Sequence, residues 1–321
     1  MDTTSFFNLL TIIGVLFLVM AAGYICRLRG IIDDNTSKKM SKLIIEIGQP
    51  LLIIGSLISK DFSWEMFRAG LVYLGIGFLL HPLMGLIALL SGRFFPQPDE
   101  KKLTQFALTF TNCAFIGFPI LSAVFPENGT FYGSFFVIGF HVYIWTLGIL
   151  MLSRGRDDIK LTPKKALLNF GTVPCAIGLA LYLLKAVVPM PALATDFCSY
   201  MGGLCMPISV IVTGSLLAKQ KPRDILLNPR LYLFNAIKLL ALPLLVCGLA
   251  KLVTMGMRDS YEIVMFCTVI SALPSAATIT MLSELYDIKP EYAAQAVGSS
   301  SLLAVATLPL MYFVADLVAK L

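Results

Sequence analysis

Ten apolar runs, each long enough to cross a bilayer core as a helix, occupy most of this 321-residue chain. A hydrocarbon layer of roughly 30 Å needs about 20 apolar residues per helix, and the runs fall near 6–26, 43–59, 69–92, 103–124, 131–152, 166–188, 199–218, 231–253, 262–284 and 292–318. They are continuously apolar and do not alternate at period two, which argues for helices and against a barrel. A composition of 57% hydrophobic and only 14% charged residues fits no soluble domain. The expected class is an all-α polytopic membrane protein.

Cations fix the orientation. Eighteen of the 25 Lys and Arg residues sit in one set of alternate loops, from Arg27–Lys42 through Arg93–Lys102, Arg154–Lys165 and Lys219–Arg230 to Lys289. Six lie on the opposite side, and Lys238 falls inside a span. Positive juxtamembrane loops stay inside, so the expectation is a multi-pass plasma (inner) membrane protein with both termini outside. The net charge of +6 follows from that topology and calls for no nucleic-acid partner. The leader Met1–Ser5 has no cation, unlike a secretory signal. Seven cysteines without regular spacing read as buried thiols, with Cys198 and Cys205 placed to approach each other near the outer face.

The prolines suggest duplication. Pro50 and Pro207, Pro82 and Pro243, and Pro119 and Pro274 are separated by 157, 161 and 155 residues, and Gly55-Ser56-Leu57 echoes Gly214-Ser215-Leu216. Five spans per half make the second copy enter upside down. The chain then divides into a first five-helix repeat (1–152), a cytoplasmic linker (153–165) and a second, inverted repeat (166–321). Inverted repeats with interrupted helices at matching places point to a secondary transporter.

Spans four and nine carry the candidate chemistry, in Thr111-Asn112-Cys113 with Phe118-Pro119, and in Leu273-Pro274-Ser275 with Thr278. A mid-membrane proline kinks or breaks a helix, and broken backbone survives at that depth only against protein or a wet cavity. Half-helices starting near Pro119 or Pro274 would offer unpaired N–H groups to an anion. The alternative is a simple kink satisfied by neighbouring helices. Lys238 is either a counter-ion for a carboxylate or a side chain that snorkels to the interface. Glu46, four residues after Lys42, is an interfacial acid or a proton-coupling group; His81 and His141 are structural hydrogen bonders or titrating groups. Asp316 is read as solvated. No phosphate loop, zinc motif or catalytic constellation is present, so the chain is read as a non-enzyme without cofactor or metal.

Leu273-Pro274-Ser275-Ala276-Ala277 leading to Leu282-Ser283-Glu284-Leu285-Tyr286 resembles the ninth-helix signature of the auxin efflux carrier family. Gly298-Ser299-Ser300-Ser301, Thr307-Leu308-Pro309-Leu310 and the opening Gly23-Tyr24 with Arg27-Leu28-Arg29-Gly30-Ile31-Ile32 are similar to that family's other motifs. The resemblance implies ten helices in two inverted five-helix repeats, with helices four and nine broken and crossing, and transport of small organic anions such as mono- or dicarboxylates. The short linker departs from the long loop of several plant members, which puts auxin itself in doubt. The expected partners are the organic anion, the lipid bilayer, a coupling H+ or Na+, and a second copy in a homodimer. The alternative is a transporter-like sensor or a channel.

Overall fold

A computed structural model describes residues 3–156, 162, 168–221, 223 and 228–321. The linker at 153–165 therefore lies largely outside the described residues. Every regular element among those described is helical. In chain order they are α1 (Thr3–Leu28), α2 (Asp34–Ile58), α3 (Trp64–Ser91), α4 (Pro98–Thr109), α5 (Gly117–Val124), α6 (Gly129–Ser153), α7 (Thr172–Leu184), α8 (Ala192–Leu217), α9 (Pro229–Thr254), α10 (Ser260–Ala272), α11 (Thr278–Leu285) and α12 (Pro290–Lys320). Six helices are long and apolar enough to cross a membrane singly, and Gly14–Leu28, Thr172–Leu184 and Ser260–Ala272 are shorter apolar helices.

The helices gather into two groups. One holds α1, α2, α7 and α8; the other holds α3–α6 and α9–α12. Small residues let the backbones close up, because lipid supplies no hydrophobic force between helices and packing must do so. A Cβ at Gly77 on α3 would sit 2.7 Å from the Phe136 carbonyl oxygen, and one at Gly139 on α6 would sit 2.8 Å from the Gly77 carbonyl carbon. Gly23 and Gly214 lock α1 to α8 in the same reciprocal way, each facing backbone of the other helix.

Three π-helical turns interrupt α2, α6 and α9, at Ile44–Gly48, Ile144–Gly148 and Ile237–Ala241. Two precede a proline by two residues, Pro50 and Pro243. A proline lacks an N–H and pushes away the carbonyl four residues back, and a wider turn relieves that clash. The third has no proline; Thr146 Oγ1 instead donates to the Val142 carbonyl at 2.6 Å, a back-bond that bends helices.

On the cation-rich side, Asp34 takes both Arg27 and Lys219 at 2.6 Å, joining α1, α2 and the end of α8. Glu100 on α4 pairs with Arg230 of α9 at 2.8 Å and with Lys289, just before α12, at 3.1 Å. At the other end Asp316 is buried rather than solvated, paired with Lys320 (2.7 Å) and accepting from the Tyr261 hydroxyl (2.8 Å). Cys198 and Cys205 are both free; all seven cysteines are thiols and only Cys26 is not buried.

Candidate functional site

Two rods stop in mid-bundle and resume after a non-helical stretch. Helix α4 ends at Thr109 and α5 begins at Gly117; α10 ends at Ala272 and α11 begins at Thr278. The interrupted segments cross as a one-residue antiparallel bridge between Thr111 and Ser275. The Asn112 N–H donates to the Pro274 carbonyl at 2.8 Å, and the Ala276 N–H donates to the Phe110 carbonyl at 2.9 Å. Each break thus supplies the partner that the other lost, which satisfies backbone groups that could not stay unpaired in an apolar interior.

Side chains close the remaining gaps. Ser275 Oγ donates to the Ala107 carbonyl at 2.9 Å, and the Ser275 N–H donates to Ser300 Oγ at 3.2 Å. Lys238 is fully buried, and its Nζ donates to the Leu108 carbonyl at 3.2 Å. The snorkelling alternative for Lys238 is therefore overturned: the side chain turns inward to the broken end of α4, where the carbonyls carry the negative end of the helix dipole.

Pro119 does not make the break in its own rod. The helix is already interrupted at Phe110–Ile116, and Pro119 lies inside the first turn of α5, a position that needs no helical N–H. Pro274, by contrast, stands in the non-helical stretch of its crossing, next to the bridged Ser275. The half-helix starts, Gly117 and Thr278, are 161 residues apart, the Pro82–Pro243 spacing and not the 155 of Pro119–Pro274. The expectation of open amides at both half-helix starts also needs correcting. At α5 the Gly117 and Ile116 N–H groups donate to the Asn112 carbonyl at 2.9 and 3.3 Å. At α11 the Ala277 and Thr278 amides make no hydrogen bond to the described residues.

A cavity of about 580 Å³ is lined in part by Thr278 of that start. One wall is a stripe of α2, Lys38, Ser41, Lys42, Ile45, Glu46 and Gln49, spaced to share one helix face. The other walls are Phe140, His141, Ile144 and Trp145 of α6, Phe170 and Gly171 before α7, and Thr278, Met281 and Leu282 of α11. The cavity lies between the two helix groups. Among the described titratable residues Lys38, Lys42, Glu46 and His141 face it; Glu46 sits 3.8 Å from Lys42, the interfacial pairing. His141 Nε2 is 3.0 Å from Gln49 Nε2, a hydrogen bond across the group boundary, and an amide NH2 can only donate, so His141 Nε2 accepts. His81 lies outside the cavity, with Nδ1 2.6 Å from the Gly77 carbonyl.

Of the crossing residues named from sequence, Thr278 alone lines the large cavity, and Pro274 lines a small, mainly apolar space of about 30 Å³. Thr111, Leu273 and Ser275 are fully buried in the crossing itself, with Cys113, Phe118 and Pro119 packed around it. The Asn112 side-chain amide makes no hydrogen bond to the described residues. Sequence reasoning missed Gln49, Trp145, the Lys38–Lys42 stripe and Ser300; the polar run Ser299–Ser301 in an apolar helix was the available signal for the last.

A family model described as a membrane transport protein matches residues 9–167 and 158–312. An uncharacterized transporter of Methanothermobacter thermautotrophicus is 24% identical over 305 residues, 94% of this chain and 96% of that protein. A second uncharacterized transporter, from Methanocaldococcus jannaschii, is 24% identical over 151 residues, 46% of this chain and 49% of its own length. With matches running from residue 9 to residue 312, the chain belongs to this membrane transport protein family, that of the auxin efflux carriers.

Proposed function

We propose that this transporter is a carrier for a small organic anion, a mono- or dicarboxylate, working by alternating access in the plasma membrane. The observation that carries the reading is the open start of α11, where the Ala277 and Thr278 amides find no partner among the described residues and Thr278 lines the cavity between the two helix groups. Amides at a helix start, with the positive end of its dipole, suit a carboxylate. Lys38 and Lys42 at the cavity wall add attraction for the same charge. Asn112 and Ser275 complete the crossing beside it. We read the chain as ten spans in two inverted five-helix repeats, 1–152 and 166–321, with both termini outside. On that orientation the cavity opens to the cytoplasm, because Lys38, Lys42 and Phe170 lie on the cation-rich side.

Counterflow in proteoliposomes tests the reading. The purified protein should exchange labelled carboxylate against an unlabelled pool without a net driving force; a sensor binds without moving it. The double variant Asn112→Ala with Ser275→Ala should insert and fold but lose most of that exchange. Wild-type exchange by the well-folded double variant removes the crossing from the pathway.

A further inference from the structure

Broken helix ends inside a membrane are where transporters bind small cations, because unwound carbonyls and the negative helix end supply ready ligands. Helix α4 has such an end. In a continuous helix the Leu108 carbonyl would accept from residue 112, but the Asn112 N–H is spent on Pro274. The Leu108 carbonyl takes Lys238 Nζ instead, at 3.2 Å. The Ala107 carbonyl, deprived in the same way, takes Ser275 Oγ.

Lys238 reaches this point fully buried, from the π turn Ile237–Ala241 of α9. The ion pairs among the described residues include none with Lys238. The titratable groups that interact with it electrostatically include the imidazole of His81 and the thiol of Cys113, and neither is a carboxylate. A buried ammonium without a carboxylate partner is costly. What offsets the cost here is the helix end itself, a carbonyl ligand and about half a negative charge. A bound metal ion would exploit the same features.

We propose that Lys238 is a built-in cation that fills the ion site at the end of α4, so that this transporter binds no sodium there and needs no sodium gradient. The inference rests on the carrier reading for its second half only; the occupancy of the site stands apart from what is carried. Tethering the charge to α9 also fixes α9 to the crossing, a link that an exchangeable ion would make only when bound.

The test uses the full-length purified protein and reads melting temperature in sodium chloride against choline chloride at equal ionic strength. Wild type should melt at the same temperature in both salts. Lys238→Met keeps most of the length of the side chain, one heavy atom short, and deletes its charge; it should melt several degrees lower in choline and recover much of that loss in sodium, since a ligand that binds only the folded form raises its melting point. Lys238→Arg, which keeps the charge, should show no sodium response. Three outcomes overturn the proposal: sodium stabilising wild type, Lys238→Met as stable as wild type in choline, or a loss in Lys238→Met that sodium does not relieve. Counterflow of labelled carboxylate by wild type in sodium-free buffer completes the comparison. Absence of exchange in either salt overturns the carrier reading while the melting result stands, and exchange only in sodium overturns this inference while the carrier reading stands.

Discussion

Ser275 concentrates the chemistry of the crossing in one residue. Its hydroxyl donates to the Ala107 carbonyl and its amide to Ser300 Oγ, both in a fully buried setting. Ser275→Ala leaves the Ala107 carbonyl unsatisfied, and a buried polar group without a partner costs about 1–3 kcal/mol. Chemical unfolding in detergent should record a loss of that size, and Ser300→Ala a comparable one, since it strips the buried Ser275 amide of its acceptor. At this scale the sequence was only partly readable. The proline and the polar residues marked the broken stretch Leu273–Ala277, because Pro274 itself stands in it. Phe110–Ile116 breaks without a proline in it, and Pro119 marks instead the half-helix that follows, two residues past its start at Gly117. Lys238 misled for a related reason: a lone lysine in an apolar run suggests snorkelling, and the carbonyl that holds it belongs to a residue 130 positions away.

Elements are where apolar pattern and structure agree most closely, since continuous hydrophobic runs and membrane helices obey one length rule. What the pattern could not reveal is how the helices meet. Gly77 and Gly139 bring α3 and α6 into backbone contact, whereas Gly75, one half-turn away, has nothing within 4 Å of where its Cβ would stand. Gly77→Leu should therefore wedge the pair apart at a cost of about 1–3 kcal/mol, as overpacking does. Gly75→Ala should be neutral or stabilising by up to about 1 kcal/mol, because alanine favours helix over glycine. Comparing the melting temperatures of the two variants checks the contact directly. Equal destabilisation would show that glycine is needed along the whole helix and not at the crossing point.

For the whole molecule, ionic ties on the cation-rich side join elements distant in sequence. Asp34 hydrogen-bonds to Lys219 and Arg27, and these hold its carboxyl below the usual aspartate value against a smaller opposing effect of burial. The sign follows from linkage. A carboxyl whose folded value lies below its unfolded one adds stability above the unfolded value, near 3.8, and loses it as pH falls through the folded value. Acid unfolding of Asp34→Asn should accordingly be less steep below about pH 4 than that of wild type. Because Asp34 is more than half exposed, salt should weaken the difference. Charge counting along the chain made this side recognisable, but only folding pairs Asp34 with Lys219.

The thiols carry one more consequence. Six of the seven are enclosed, leaving Cys26, at the cation-rich end of α1, as the accessible nucleophile. A bulky, membrane-impermeant maleimide therefore has a single address on the native chain, with no engineered mutation required. Reaction in inverted vesicles but not in intact cells would place that end of α1 in the cytosol; the reverse would turn the molecule, cavity and all, to face the outside.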